Sequence, residues 1–139
     1  IRAPAEQRQA MREFGLRLGM AFQIVDDLLD YTGDATITGK PVGADLREHK
    51  VTLPLIYALP RLSARQRREV SALVDTGTPT AAQIAAVVEA VTETGGLDYA
   101  RERAASLSTG AEAALEVLAP SPAREALRAS IPFVLDRRS

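Results

Sequence analysis

Three aspartates, Asp26, Asp27 and Asp30, stand in the pattern Asp-Asp-x-x-Asp, with Gln23 three residues ahead. On a helix of 3.6 residues per turn, offsets of three, four and seven bring Gln23, Asp26, Asp27 and Asp30 to one face. Carboxylates one turn apart repel by about 0.2–0.5 kcal/mol, and these lie towards the negative end of the helix dipole. Stability alone gives no reason for that arrangement. A hard divalent cation reverses the sign, because oxygens on one face can share it. Mg²⁺ takes one or two protein carboxylates and completes its octahedron with water and substrate phosphates. The bare motif fits half of a metal and phosphate site about as well as it fits a solvated acidic face.

The residues that follow favour the site. The 17 basic residues are 15 arginines and two lysines, Lys40 and Lys50, and both lysines fall with the single histidine, His49, inside eleven residues. Five of the eight aspartates (Asp26, Asp27, Asp30, Asp34, Asp45) lie between positions 26 and 45. The run Gly39-Lys40-Pro41-x-Gly43-x-Asp45 offers a compact ammonium between residues that allow close backbone approach. Such an ammonium makes a point contact to diphosphate, although a lysine on a loop is ordinarily just solvated. A P-loop is excluded, because five residues separate Gly33 from Gly39, Lys40 precedes Pro41, and no apolar strand leads in. An EF-hand starting at Asp34 is excluded too, since threonines at its third and fifth positions leave too few charges.

The elements that must carry these residues are helical. Pro4 suits a first turn, and Phe14, Leu18, Ala21, Val25 and Leu28 recur at three- and four-residue steps as one buried stripe, predicting a helix to about Tyr31. Gly15 and Gly19 each cost about 1 kcal/mol there against alanine, so packing must support the helix, and small residues four apart would let a neighbour approach. Residues 32–52 read as a loop with a short helical turn near Asp45–Glu48. A loop of that length in a compact domain is usually functional or disordered, and its charged, glycine-rich content favours function. Further helices are expected over 53–59, opened by Thr52 and Pro54, then 63–74 and 80–94 with Ser63/Gln66 and Thr80/Gln83 capping boxes. Two more follow over 97–118 and 121–136. No stretch alternates with period two. The fold class is all-α, a single domain over 1–139 with antiparallel helical packing.

Composition bounds the function. With 139 residues the chain is long enough for one core, burying about 68% of its unfolded surface. Hydrophobic residues are 46% and charged residues 25%, which excludes wholesale disorder, and a net charge of −1 gives no bulk attraction to nucleic acid or anionic membrane. The absence of cysteine removes disulfides, thiolate nucleophiles and Cys-ligated zinc. No apolar run approaches the length of a spanning helix, and no signal peptide opens the chain, so the cytoplasm is the expected compartment. Alanine and arginine richness suggests a high-GC bacterial gene. The start at Ile1 rather than Met suggests a processed or truncated polypeptide.

The stretch Gly19–Pro54, GMAFQIVDDLLDYTGDATITGKPVGADLREHKVTLP, closely resembles the second aspartate-rich region of the trans-isoprenyl diphosphate synthases, the polyprenyl synthetases. The ordered motifs Phe-Gln-x-x-Asp-Asp-x-x-Asp, Gly-Asp, Gly-Lys-x-x-Gly-x-Asp and Lys-x-Thr-x-Pro carry the resemblance over 36 of 139 residues. Its wording, Asp-Leu-Arg-Glu and Thr-Leu-Pro-Leu-Ile, looks more like long-chain members. The resemblance implies the C-terminal portion of the isoprenoid synthase fold and an Mg²⁺-dependent head-to-tail condensation of isopentenyl diphosphate with an allylic diphosphate. It implies Asp26 as principal magnesium ligand, with Asp27 and Asp30 assisting through bound water or neighbouring contacts. Gln23 and Lys40 would contact the allylic diphosphate, Lys50 would help at its rim, and Phe22 would line the hydrocarbon channel, unless it is simply a core aromatic. Tyr31, Asp34 and His49 are expected to be structural or solvated. Arg137 and Arg138 resemble a basic family C-terminus but read more simply as a solvated tail.

One departure is large. No second Asp-Asp-x-x-Asp or Asp-Asp-x-x-x-x-Asp occurs in the sequence, so half the metal cluster and most of the isopentenyl diphosphate site are missing. The chain is therefore expected to be the C-terminal part of a longer synthase, inactive alone, and to form a homodimer or associate with the missing N-terminal half. A non-catalytic partner subunit of a synthase is the competing reading, disfavoured by the intact acidic motif. A terpene cyclase relative ranks last, since that class carries Asn and Ser/Thr in its corresponding metal motif.

Overall fold

The computed structural model describes residues 3–33 and 42–136. Asp34, Lys40, Arg137 and Arg138 lie outside the described residues. Seven α-helices account for most of the rest: α1 (Ala5–Thr32), α2 (Ala44–Arg47), α3 (Leu53–Ala58), α4 (Ala64–Asp75), α5 (Ala81–Glu93), α6 (Gly96–Ala114) and α7 (Pro122–Leu135). Single 3₁₀ turns extend α3 over Leu59–Arg61 and α6 over Leu115–Val117. No strand occurs among the described residues, so the all-α class holds.

The local signals act where the sequence puts them. Ser63 accepts the amide of Gln66 while Gln66 Oε1 accepts the amide of Ser63, and Thr80 and Gln83 repeat the exchange. Each box satisfies two amides that the first turn of a helix leaves without partners. Gly95, at φ 77°, ends α5 in the left-handed conformation that a Cβ disfavours. Its neighbour Gly96 opens α6 so close to Val91 and the Pro54 carbonyl that a Cβ would meet that oxygen at 2.5 Å. Thr52 stands at the N-cap of α3 but gives its hydroxyl elsewhere, so Pro54 in the first turn carries the start.

The chain forms two compact units, to each of which α1 and α6 contribute a part. In the unit of residues 3–25 and 102–136, Phe14, Ala111, Leu115 and Ile131 form a buried cluster, covered by Leu18, Ala114, Leu118 and Leu127. Arg124, only 8% exposed, ties α7 to the 3₁₀ turn by donating to the Leu118 carbonyl at 2.9 Å and pairing with Glu116 at 2.6 Å. In the unit of residues 26–101, α4 packs on α5, with Val70 and Leu73 of α4 and Ile84, Val87 and Val91 of α5 buried, while Leu46 and Leu55 are buried from α2 and α3. The stripe expected on α1 is inward, with Phe14, Ala21, Val25 and Leu28 buried. At Gly15 and Gly19, where a neighbour could approach, nothing among the described residues comes within 4 Å of where their β-carbons would be.

Candidate functional site

On α1, Ile24, Val25, Leu28 and Tyr31 are buried, and this leaves Gln23 and Asp26 exposed and Asp27 and Asp30 half-buried on the other side. The hydrophobic stripe thus aims the acidic face. The helix ends at Thr32, and the Gly33 amide closes its last turn on the Leu29 carbonyl at 2.6 Å.

The chain returns to the acidic helix at Gly43. Three successive amides donate to one residue: Gly43 to the Asp30 carbonyl at 2.8 Å, Ala44 to Asp30 Oδ1 at 2.9 Å and Asp45 to Asp30 Oδ2 at 3.1 Å. Gly43 is the N-cap of α2 and has no side chain to cap it, so the carboxylate of a distant helix does the capping. Gly43 takes φ 78°, and a Cβ there would collide with Ile84 on α5. Burial pushes the Asp30 carboxyl above its ordinary value of 3.8, and the nearby Asp45 carboxylate adds to the rise; the two amides oppose it.

After α2 the chain reverses. His49 takes φ 57°, unusual for a residue with a Cβ, and the Lys50 amide donates to the Asp45 carbonyl at 2.8 Å. Lys50 folds back, its Nζ 2.7 Å from Glu48 Oε2 and 3.1 Å from Asp45 Oδ1. Glu48 and Asp45 hold the ammonium above its ordinary value of 10.5, so Lys50 keeps its charge at any physiological pH. Two residues on, Thr52 donates its hydroxyl to Tyr31 Oη at 3.4 Å. Burial raises the Tyr31 phenol from 10.0 to about 12.

Of the residues singled out from sequence, the structure brings Asp30 and Lys50 together through Asp45. Asp26 and Asp27 lie on the same helix one turn before Asp30, and Phe22 and Gln23 are exposed on the turn before that. Asp45 is the residue that sequence spacing assigned no role. Its signal was present, two residues after the obligate glycine and five before Lys50, but its meaning depends on where the chain returns.

The donors on this face are carboxylate oxygens, which suit a hard divalent cation. Among the described residues no three acidic or histidine side chains converge as a cation cluster. Both oxygens of Asp30 already accept backbone amides.

A family model described as polyprenyl synthetase matches residues 1–91. The all-trans-nonaprenyl-diphosphate synthase (geranyl-diphosphate specific) of Rhodobacter capsulatus is 42% identical over 132 residues, which cover 95% of this chain and 40% of the relative. A polyprenyl synthase of Caulobacter crescentus, solved with calcium and isoprenyl diphosphate, superposes with a TM-score of 0.87 at 35% identity, over 99% of this chain and 42% of that one. A geranylgeranyl pyrophosphate synthase of Corynebacterium glutamicum, solved with isoprenyl diphosphate and magnesium, gives 0.86 at 32% identity, over 98% and 39%. The chain spans about 40% of the length of the curated relatives it matches. By the match over residues 1–91 and the shared all-helical fold, the chain belongs to the polyprenyl synthetase family.

Proposed function

We propose that this chain supplies the second aspartate-rich half of a trans-prenyl transferase site. In the complete reaction an allylic diphosphate ionises, the double bond of isopentenyl diphosphate attacks the allylic carbon, and a proton leaves to restore an alkene. Asp26 would be the principal ligand for magnesium, and Asp27 and Asp30 would assist through bound water or neighbouring contacts. Gln23 offers amide donors and Lys40 and Lys50 offer ammonium groups to the diphosphate oxygens. Phe22 lines the path of the growing hydrocarbon. Mg²⁺ held at the acidic face would supply the positive charge that offsets what builds on the departing diphosphate.

The observation that carries this reading is the Asp26, Asp27 and Asp30 face with Lys50 returned beside it through Asp45. A long-chain product is the reading favoured by Asp-Leu-Arg-Glu and by likeness to a nonaprenyl synthase. The chain by itself is inactive in condensation, because a second aspartate pair is missing from its sequence. Calorimetric titration with inorganic diphosphate tests the half-site: binding should require Mg²⁺ and vanish with EDTA. Metal-independent binding, or none, would refute the half-site, and robust condensation of both diphosphates by the chain would refute its incompleteness.

A further inference from the structure

We propose that Asp30 is a positioning residue, which presents Lys50 through Asp45 and caps α2. The relay runs in one direction through three side chains. The Asp30 carboxylate takes the amides of Ala44 and Asp45, the Asp45 carboxylate takes the ammonium of Lys50 at 3.1 Å, and the Asp45 carbonyl takes the Lys50 amide at 2.8 Å. Each link is local except the first. A contact spanning fourteen and fifteen residues fixes where the local ones stand relative to α1.

The chemistry of the first link explains why an aspartate is needed there. Three consecutive N–H groups, with a left-handed glycine at their head, form a concave donor set that attracts an anion. A single carboxylate satisfies two of them, and the backbone carbonyl of the same residue satisfies the third. Asparagine would keep one acceptor and turn an NH₂ group against the other amide; alanine would leave two donors without partners. Asp30 thereby differs in task from Asp26, although both stand in one motif on one helix face. The consequence for diphosphate contact by Lys50 rests on the function proposed above, whereas the relay itself does not.

The test begins without metal or ligand. In the native 139-residue chain, long-range NMR couplings across hydrogen bonds should link the Ala44 and Asp45 amides to the Asp30 carboxyl carbon. Absence of both couplings would overturn the relay without any variant having to fold. Asp30→Ala should speed exchange of those two amides by about tenfold or more, the worth of a charge-assisted hydrogen bond, while Asp26→Asn leaves them unchanged. Asp30→Asn should fall between. Equal protection in Asp30→Ala and the native chain would count against the cap. With Mg²⁺ and inorganic diphosphate present, Lys50→Ala should weaken binding in the native background and add nothing in the Asp30→Ala background. Additive losses would show that Asp30 does not act through Lys50. A native chain that binds no diphosphate refutes the proposed function, and the couplings and exchange rates then decide the relay by themselves.

Discussion

The side chain of Ile84 fills the space in which residue 43 would carry a β-carbon. Gly43 is also left-handed, at φ 78°. These two demands are independent, and together they hold the chain where its next amides meet Asp30. Gly43→Ala should therefore destabilise twice, by about 1–2 kcal/mol for the left-handed backbone and about 1–3 kcal/mol for overpacking. Ile84→Ala costs about 2–5 kcal/mol alone by the usual price of a cavity. The double variant should be more stable than the sum of the two losses predicts, because the cavity accepts the new methyl group. Chemical denaturation of the four proteins checks this, and strict additivity would contradict the collision.

Asp26→Ala should abolish Mg²⁺-dependent diphosphate binding while the chain stays folded. Removing one of three neighbouring carboxylates relieves about 0.2–0.5 kcal/mol of repulsion. Calorimetry and thermal melting of the same preparation separate the two effects. Undiminished Mg²⁺-dependent binding would remove Asp26 from the ligand set.

Acid should weaken the unit built from α7 and the 3₁₀ turn. Hydrogen bonding to Arg124 holds the Glu116 carboxyl below its ordinary value of 4.5. A carboxyl whose value falls on folding contributes stability that is present above 4.5 and lost as pH drops through the lower folded value. Thermal melts between neutral pH and about pH 3, a span set by ordinary carboxylate titration, should show the loss, and Glu116→Gln should flatten it. An unchanged acid limb in that variant would mean the pair contributes nothing.

At the alkaline end Tyr31 should titrate late. Its phenol, raised from 10.0 to about 12 by burial, resists ionisation in the folded state. The resulting stability is present below pH 10.0 and lost as pH rises through about 12. Phenolate absorbance followed against pH should contain a late component that Tyr31→Phe removes. A late component that survives Tyr31→Phe would show that burial of Tyr31 is not its source.

Near-neighbour chemistry was legible in the residues themselves. The capping boxes at Ser63 and Thr80, the buried stripe from Phe14 to Leu28, and the acidic face at Asp26 depend on spacings of three and four, which helical geometry converts directly into position. Family membership was equally legible, because the motifs between Gly19 and Pro54 occur in a fixed order. What spacing could not supply was the partner of any group whose contact lies many residues away. Thr52 looks like an N-cap and instead donates to Tyr31, twenty-one positions earlier. Gly15 and Gly19 look like an invitation to close packing, yet among the described residues nothing lies within 4 Å of either β-carbon position. Asp30 looks like a third metal ligand, and the returning chain engages its carboxylate with two amides. The type of each group is local and covalent, whereas its partner is decided by where the backbone comes back, which only the packing of Gly43 against Ile84 and α2 against α1 determines.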